Sequence, residues 1–209
     1  RASVLERVAA AGVPARKAGL TWWDDGIGAV LAKLEELGLE EDTIVIFLSD
    51  HGLFGKASLY ESGTRIPLIL RWPGAVDPAV RGEFVQTIDI VPTLLEATGA
   101  ERPEGMHLDG RSLMPVLAGE PEDWRDDLYF EYGYGRAIRH GPWKYIAVRY
   151  PAEAVRKFRE GERDRLPYLG SNKGLGRLTS GRFGNYWLTD QLYNLEADPE
   201  EKDNIAFDP

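Results

Sequence analysis

Thr43-Ile44-Val45-Ile46-Phe47-Leu48-Ser49-Asp50-His51-Gly52 decides the reading of this chain. A short apolar run bounded by polar residues and glycine reads as a strand buried on both faces, the kind that helices cover on either side of a sheet. Where it ends, a carboxylate and an imidazole emerge together, and Lys56 adds an ammonium shortly after. Ligands of open α/β sheets bind outside the carboxyl ends of the strands. The position therefore suits the meeting of a metal and an anion.

Working outward, Ile27, Val30, Leu31, Leu34 and Leu37 recur at helical spacing, and Gly38 stops the helix. Glu40-Glu41-Asp42 make a polar turn into a strand over 43–49. Helix, turn and buried strand are the α/β rhythm. Downstream, 67–72 reads as a second strand closed by Pro73-Gly74, and 82–86 as a short third one. A helix follows over 89–98, with Pro92 tolerated in its first turn and Gly99 past its end. After Gly110 short aromatic segments appear at 128–132, 137–139, 143–148 and 191–195, separated by Gly and Pro, which predicts an antiparallel sheet. Tyr129, Phe130, Tyr132, Trp143 and Tyr145 are expected to form its core, with a sugar-stacking platform as the other reading. Residues 151–190 read as a long, mostly irregular insertion around a short helix. Its arginines and lysines, from Arg156 to Arg182, make it locally basic: either a solvated loop or a rim for a polyanionic glycan. The division is 1–110 for the α/β part and 111–209 for a small antiparallel subdomain.

The bulk properties narrow the function. The chain has 209 residues, 43% hydrophobic and 28% charged, values of a globular protein with a real core. A net charge of −9 argues against nucleic acid as partner, since phosphate backbones select clustered Lys and Arg. Any anion must be captured by a local site. No cysteine is present, which excludes disulfides and thiolate metal sites within these residues. No apolar run approaches membrane-spanning length. The chain begins at Arg1 rather than Met, and is read as a C-terminal or processed piece whose targeting segment, if any, lies elsewhere. The compartment stays open.

Taken alone, Asp50-His51-Gly52 has two readings. Neighbours on a strand point to opposite faces, so Asp50 and His51 reach one ion only where the chain turns, and Gly52 permits that turn. A carboxylate with an imidazole suits a divalent metal; a solvated strand-end turn is the other reading. Lys56 is a point charge able to hold a sulfate or phosphate oxygen, or else a solvated loop lysine. Arg65 is expected to pair with Glu61 and pin the loop to the next strand. His107 and His140 are read as surface or turn residues. Asp24-Asp25 and Asp126-Asp127 are read as helix-start or solvated charges.

The ordered series of motifs carries more than any member. It runs from Asp24-Asp25-Gly26-Ile27-Gly28 through the Asp50-His51-Gly52 segment, Gly55-Lys56, Leu59-Tyr60-Glu61, Arg65-Ile66-Pro67-Leu68 and Arg71-Trp72-Pro73-Gly74. It continues with Asp89-Ile90-Val91-Pro92-Thr93-Leu94-Leu95, Asp109-Gly110-Arg111-Ser112-Leu113, Trp143-Lys144-Tyr145, Leu192-Tyr193-Asn194-Leu195 and Asp198-Pro199-Glu200. This series resembles the C-terminal portion of the type I sulfatases of the alkaline phosphatase superfamily, over nearly the whole chain.

The resemblance implies the C-terminal half of an alkaline-phosphatase-like α/β domain followed by a small antiparallel α+β subdomain. It implies a sulfuric ester hydrolase, cleaving a sulfate ester or sulfamate of a sulfated small molecule or glycan. It places Asp50 and His51 as metal ligands and Lys56 as the sulfate contact. Calcium is the expected metal, with manganese or magnesium as alternatives, because His51 falls where many members carry asparagine. The family's nucleophile is a formylglycine made in a Cys/Ser-x-Pro-x-Arg motif. Gly12-Val13-Pro14-Ala15-Arg16 has glycine at that position and is read as coincidence, so the nucleophile and the first metal carboxylates are expected in a missing N-terminal half of the domain. This piece alone is expected to be inactive, and aggregation-prone where the missing half would cover it. A phosphonate or phosphodiester hydrolase of the same superfamily, and a non-catalytic scaffold, are the competing readings.

Overall fold

The computed structural model describes residues 2–52, 55–160 and 181–207. These fall into two compact units: 1–46 with 70–78, and 47–69 with 79–209.

In the first unit, α1 (Ala2–Ala10) leads through a 3₁₀ turn into α2 (Ala18–Glu36). The helix begins earlier than the apolar spacing predicts. It takes in Asp24 and Asp25, and Asp25 pairs with Arg7 of α1. Gly38 adopts φ 65° just past its end, a left-handed conformation that glycine reaches without a Cβ clash. No residue of α2 is buried: Leu20, Trp22 and Val30 are each at least 60% exposed. Arg71 pairs with Glu40 at 2.5 Å, tying the polar turn to the end of the second strand.

β1 (Val45–Leu48) and β2 (Leu68–Arg71) are neighbours in a two-stranded sheet, with the short α3 (Glu61–Thr64) between them in sequence. The predicted strands are both present and shorter at each end. β1 is half-buried throughout rather than buried on both faces, and Ile69 of β2 is 60% exposed. The apolar run recorded burial that two strands alone do not supply. Residues 82–86, expected as a strand, are irregular. Trp124 donates its indole N–H to the Phe84 carbonyl at 2.7 Å, so a side chain takes the place of a strand partner.

Asp89 sets the next turn. It closes a 3₁₀ turn (Thr87–Asp89) into α4 (Ile90–Thr98), and its carboxylate is fully buried. Arg125 grips it with two bonds of 2.6 and 2.7 Å, while the backbone N–H groups of Gln86 and Arg111 donate to it at 2.7 and 2.9 Å. Thr93, one turn on, donates to the Asp89 carbonyl and accepts from the Leu113 N–H at 2.8 Å. The Asp89-to-Thr93 and Gly110-to-Leu113 motifs are thus one structure: the first caps a helix and the second is bonded across it. α5 (Met114–Ala118) follows.

β3 (Asp127–Tyr132), β4 (Gly135–His140), β5 (Trp143–Val148) and β6 (Asp190–Asn194) form an antiparallel sheet in sequence order, as predicted from 128 onward. The register sets Arg139 beside Lys144 and Lys144 beside Tyr193. The core differs from expectation. It gathers Ala137, Ile146, Val148, Tyr193 and Leu195 with Tyr60, Leu59, Phe183 and Tyr186. Phe130 and Tyr132 pack against it, but Tyr129, Trp143 and Tyr145 are exposed on the opposite face. Period-two alternation decides this: Lys144, Ile146 and Val148 point inward, so Trp143 and Tyr145 point out. α6 (Ala152–Arg159) is the short helix of the insertion; 161–180, with half of its basic residues, lies outside the described residues.

Candidate active site

The chain leaves β1 at Leu48 and turns at once. Ser49 Oγ donates to the His51 carbonyl at 2.8 Å, folding the two polar residues after the strand back on themselves. In this turn Asp50, His51 and Lys56 come together. His51 Nε2 lies 3.7 Å from Asp50 Oδ1, and Lys56 Nζ lies 3.6 Å from Asp50 Oδ2. The Asp50 side chain is 78% exposed and that of Lys56 49%, so both charges face outward. Leu53 and Phe54, between them, lie outside the described residues.

The imidazole is oriented by the backbone. His51 Nδ1 lies 2.7 Å from the Gly52 carbonyl, which can only accept, so Nδ1 carries the proton. In the neutral ring Nε2, 3.7 Å from Asp50 Oδ1, is then the nitrogen with a lone pair. A carbonyl that fixes the tautomer of a histidine is the usual support of an imidazole metal ligand. The donor set therefore fits a divalent cation: one carboxylate, one imidazole nitrogen, and one ammonium close by for a bound anion. Among the described residues no third His, Asp or Glu completes a metal-binding group. Asp50 and His51 could at most supply two ligands of a larger set.

A glycine cradle holds the turn. Gly52 donates its N–H to the Gly63 carbonyl at 2.8 Å, and Gly55 donates to the Ser62 carbonyl at 3.1 Å. A Cβ at Gly52 would run into the Ser62 carbonyl, and one at Gly63 into the Gly55 carbonyl. These approaches exist only because side chains are absent. Ser58 Oγ adds a bond to the Gly55 carbonyl at 2.7 Å. The far side of the cradle is α3.

Glu61 anchors that side in a buried ionic group. Its carboxylate meets Arg139 of β4 at 2.9 Å and Lys144 of β5 at 3.0 Å. Arg65, expected to be its partner, offers only its backbone N–H to the Glu61 carbonyl. The sheet presents two cations on its inner face, and they take the carboxylate instead. Glu201 completes the group. One oxygen accepts the Glu61 N–H at 2.5 Å, and the other lies 3.0 Å from Lys144 Nζ, an ion pair set outside hydrogen-bond alignment. Burial pushes the Glu201 carboxyl above the ordinary glutamate range, against the pull of the Lys144 charge and the Glu61 N–H. Beside Glu61, Tyr60 stacks on Phe183 with centroids 3.9 Å apart, and its hydroxyl donates to Gln191 at 2.7 Å. A hollow of about 310 Å³ opens next to this group, lined by Glu61, Arg65, Phe84 and Arg139 among others, and not by Asp50 or Lys56.

Reading the sequence missed Lys144, Glu201 and Gln191. For Lys144 a signal existed, since alternation sets it on the face of Ile146 and Val148. For Glu201, in a run of acidic residues near the end of the chain, none did. The remaining histidines sit as expected, exposed and beside carboxylates: His107 with Asp109 and His140 with Asp126.

Residues 49–152 match the family model described as N-sulphoglucosamine sulphohydrolase, C-terminal. The chain is 32% identical over 200 residues to the multifunctional alkaline phosphatase superfamily protein PehA of Trinickia caryophylli, covering 91% of this chain and 35% of that protein. It is 32% identical over 193 residues to an N-acetylglucosamine-6-O-sulfatase of Bacteroides thetaiotaomicron, covering 87% and 30%. Among solved structures it superposes, with a TM-score of 0.62 and 28% identity, on a protein in complex with its substrate D-glucosamine-2-N,6-O-disulfate, covering 91% of this chain and 35% of that one. The chain spans about a third of the length of these relatives.

Proposed function

This chain belongs to the type I sulfatases, as their C-terminal portion, and from that premise we propose that the protein carrying it hydrolyses a sulfate ester or sulfamate. One observation supports this reading of the site: the His51 imidazole and the Lys56 ammonium each lie within 4 Å of the Asp50 carboxylate, just past the end of β1. Asp50 and His51 would hold a divalent metal, calcium by the family's habit, together with carboxylates supplied from outside these residues. Such a metal acts as a Lewis acid toward a sulfuryl oxygen. Lys56 places its ammonium where charge on the transferring group is to be held. Gly52 and Gly55, bonded to Gly63 and Ser62, keep these three groups from drifting apart. The formylglycine nucleophile would come from outside the 209 residues. On this reading residues 1–110 would be the C-terminal part of the catalytic α/β domain, and 111–209 the small antiparallel subdomain.

The substrate reading is a sulfated small molecule or glycan, supported by the sulfated glucosamine bound by the structural relative. A second reading, phosphonate or phosphodiester hydrolysis, is favoured by the kinship with an alkaline phosphatase superfamily protein described as multifunctional. Turnover by the full-length protein of 4-nitrophenyl sulfate, set against bis(4-nitrophenyl) phosphate, separates the two. We expect sulfate ester hydrolysis that a chelator abolishes. Turnover of the phosphate diester alone would overturn the sulfatase assignment.

A further inference from the structure

Resting on the reading of Asp50, His51 and Lys56 as the metal and anion corner, we propose that Glu201 is a positioning residue for that corner, acting through Glu61 and the glycine cradle. Glu201 lies 140 residues beyond Glu61, yet its carboxylate accepts the Glu61 backbone N–H at 2.5 Å and pairs with Lys144. Lys144 in turn holds the Glu61 carboxylate, with Arg139 on its other oxygen. Both the backbone and the side chain of Glu61 are therefore pinned. The next two residues, Ser62 and Gly63, present the carbonyls that receive the Gly55 and Gly52 amides. Those amides sit one residue from Lys56 and from His51. No link in this series is a flexible side chain reaching across solvent: Lys144 and Glu201 are 0% and 1% exposed, and the cradle is backbone against backbone.

The choice of residues points the same way. Burying two carboxylates against an ammonium is a poor device for stability, because an apolar replacement of similar volume often serves as well. It is a good device for direction, because a charge network tolerates little displacement of the atoms it joins. A shift of about 1 Å in the cradle would move Asp50 and Lys56 relative to each other, and a misplacement of that size can cost about a hundredfold in rate.

The test uses the full-length protein with Glu201→Gln, which keeps the shape and removes the charge. Glu201→Asp, which keeps the charge and withdraws the oxygen from the Glu61 N–H, carries the same readouts should the first variant not fold. Three quantities are measured: amide exchange at Gly52 and Gly55, calcium affinity, and kcat and KM for 4-nitrophenyl sulfate. We expect exchange at both glycines to rise by roughly tenfold or more, with calcium affinity and kcat each falling about 10- to 100-fold, the range for residues that orient metal ligands. A lowered Tm with unchanged glycine exchange, calcium affinity and kcat would make Glu201 a structural residue only and overturn the proposal. If the wild-type protein hydrolyses no sulfate ester, the functional reading fails, and amide exchange and calcium affinity still decide the positioning role.

Discussion

Lys56 and Asp50 form an exposed pair at 3.6 Å, and exposed pairs are worth about 1 kcal/mol or less to stability. On the reading proposed for the site, the Lys56 ammonium serves the chemistry of the bound anion. Lys56→Ala is expected to leave Tm essentially unchanged and to lower kcat/KM of the full-length protein about 10²- to 10³-fold, as loss of one charge-stabilising group does. A fall in Tm with unchanged kcat/KM would make Lys56 structural. Asp89 is the opposite case. Its carboxylate is fully buried under Arg125 and two backbone N–H groups. Asp89→Asn leaves Arg125 without its charge partner and is expected to cost about 3–5 kcal/mol in urea unfolding, with kcat of the surviving folded protein unchanged. A cost near zero would contradict the role given to this carboxylate.

At the scale of elements, β6 shows how burial turns into pH dependence. Tyr193 lies in the core and donates to Gln191 at 2.8 Å, and burial pushes its phenol up to about 12. An unfolded tyrosine titrates near 10, so the fold favours the neutral phenol. That contribution is whole below about pH 10 and is lost as pH rises through about 12. Tyr193→Phe gives up a buried hydrogen bond worth about 1 kcal/mol. The variant should be less stable than wild type at neutral pH, and the gap should close between pH 10 and 12. A gap independent of pH would contradict the buried phenol. The elements themselves were legible to different degrees. β1, β2 and α4 announced themselves because their apolar periods and bounding Gly and Pro are local. The strand expected at 82–86 failed because the Trp124 indole satisfies Phe84, a partner 40 residues away. The aromatics do not share one core face, because alternation along β5 sets Trp143 and Tyr145 opposite Lys144, Ile146 and Val148. Asp50, His51 and Lys56 are candidates within one short stretch, given their roles by the family resemblance; Lys144 and Glu201 meet Glu61 only in the tertiary fold.

For the molecule as a whole, Leu20, Trp22 and Val30 on α2 and Ile69 on β2 expose apolar surface that polar solvent does not favour. The remainder of the catalytic domain would cover it. The 209-residue chain produced alone is expected to self-associate and to bind a hydrophobic dye strongly, and supplying the preceding half of the domain in trans should reduce both, read by light scattering and dye fluorescence. A monodisperse, dye-silent chain would contradict that coverage.

Everything proposed for the site turns on Asp50 and His51 being two ligands of one divalent metal, with Lys56 beside them for the anion. Calcium titration of the full-length protein, wild type against Asp50→Asn and His51→Ala, tests this most directly. We expect a single site whose affinity falls about a hundredfold or more in each variant, at least the cost seen for residues that merely orient metal ligands. Equal calcium affinity in all three proteins would contradict it.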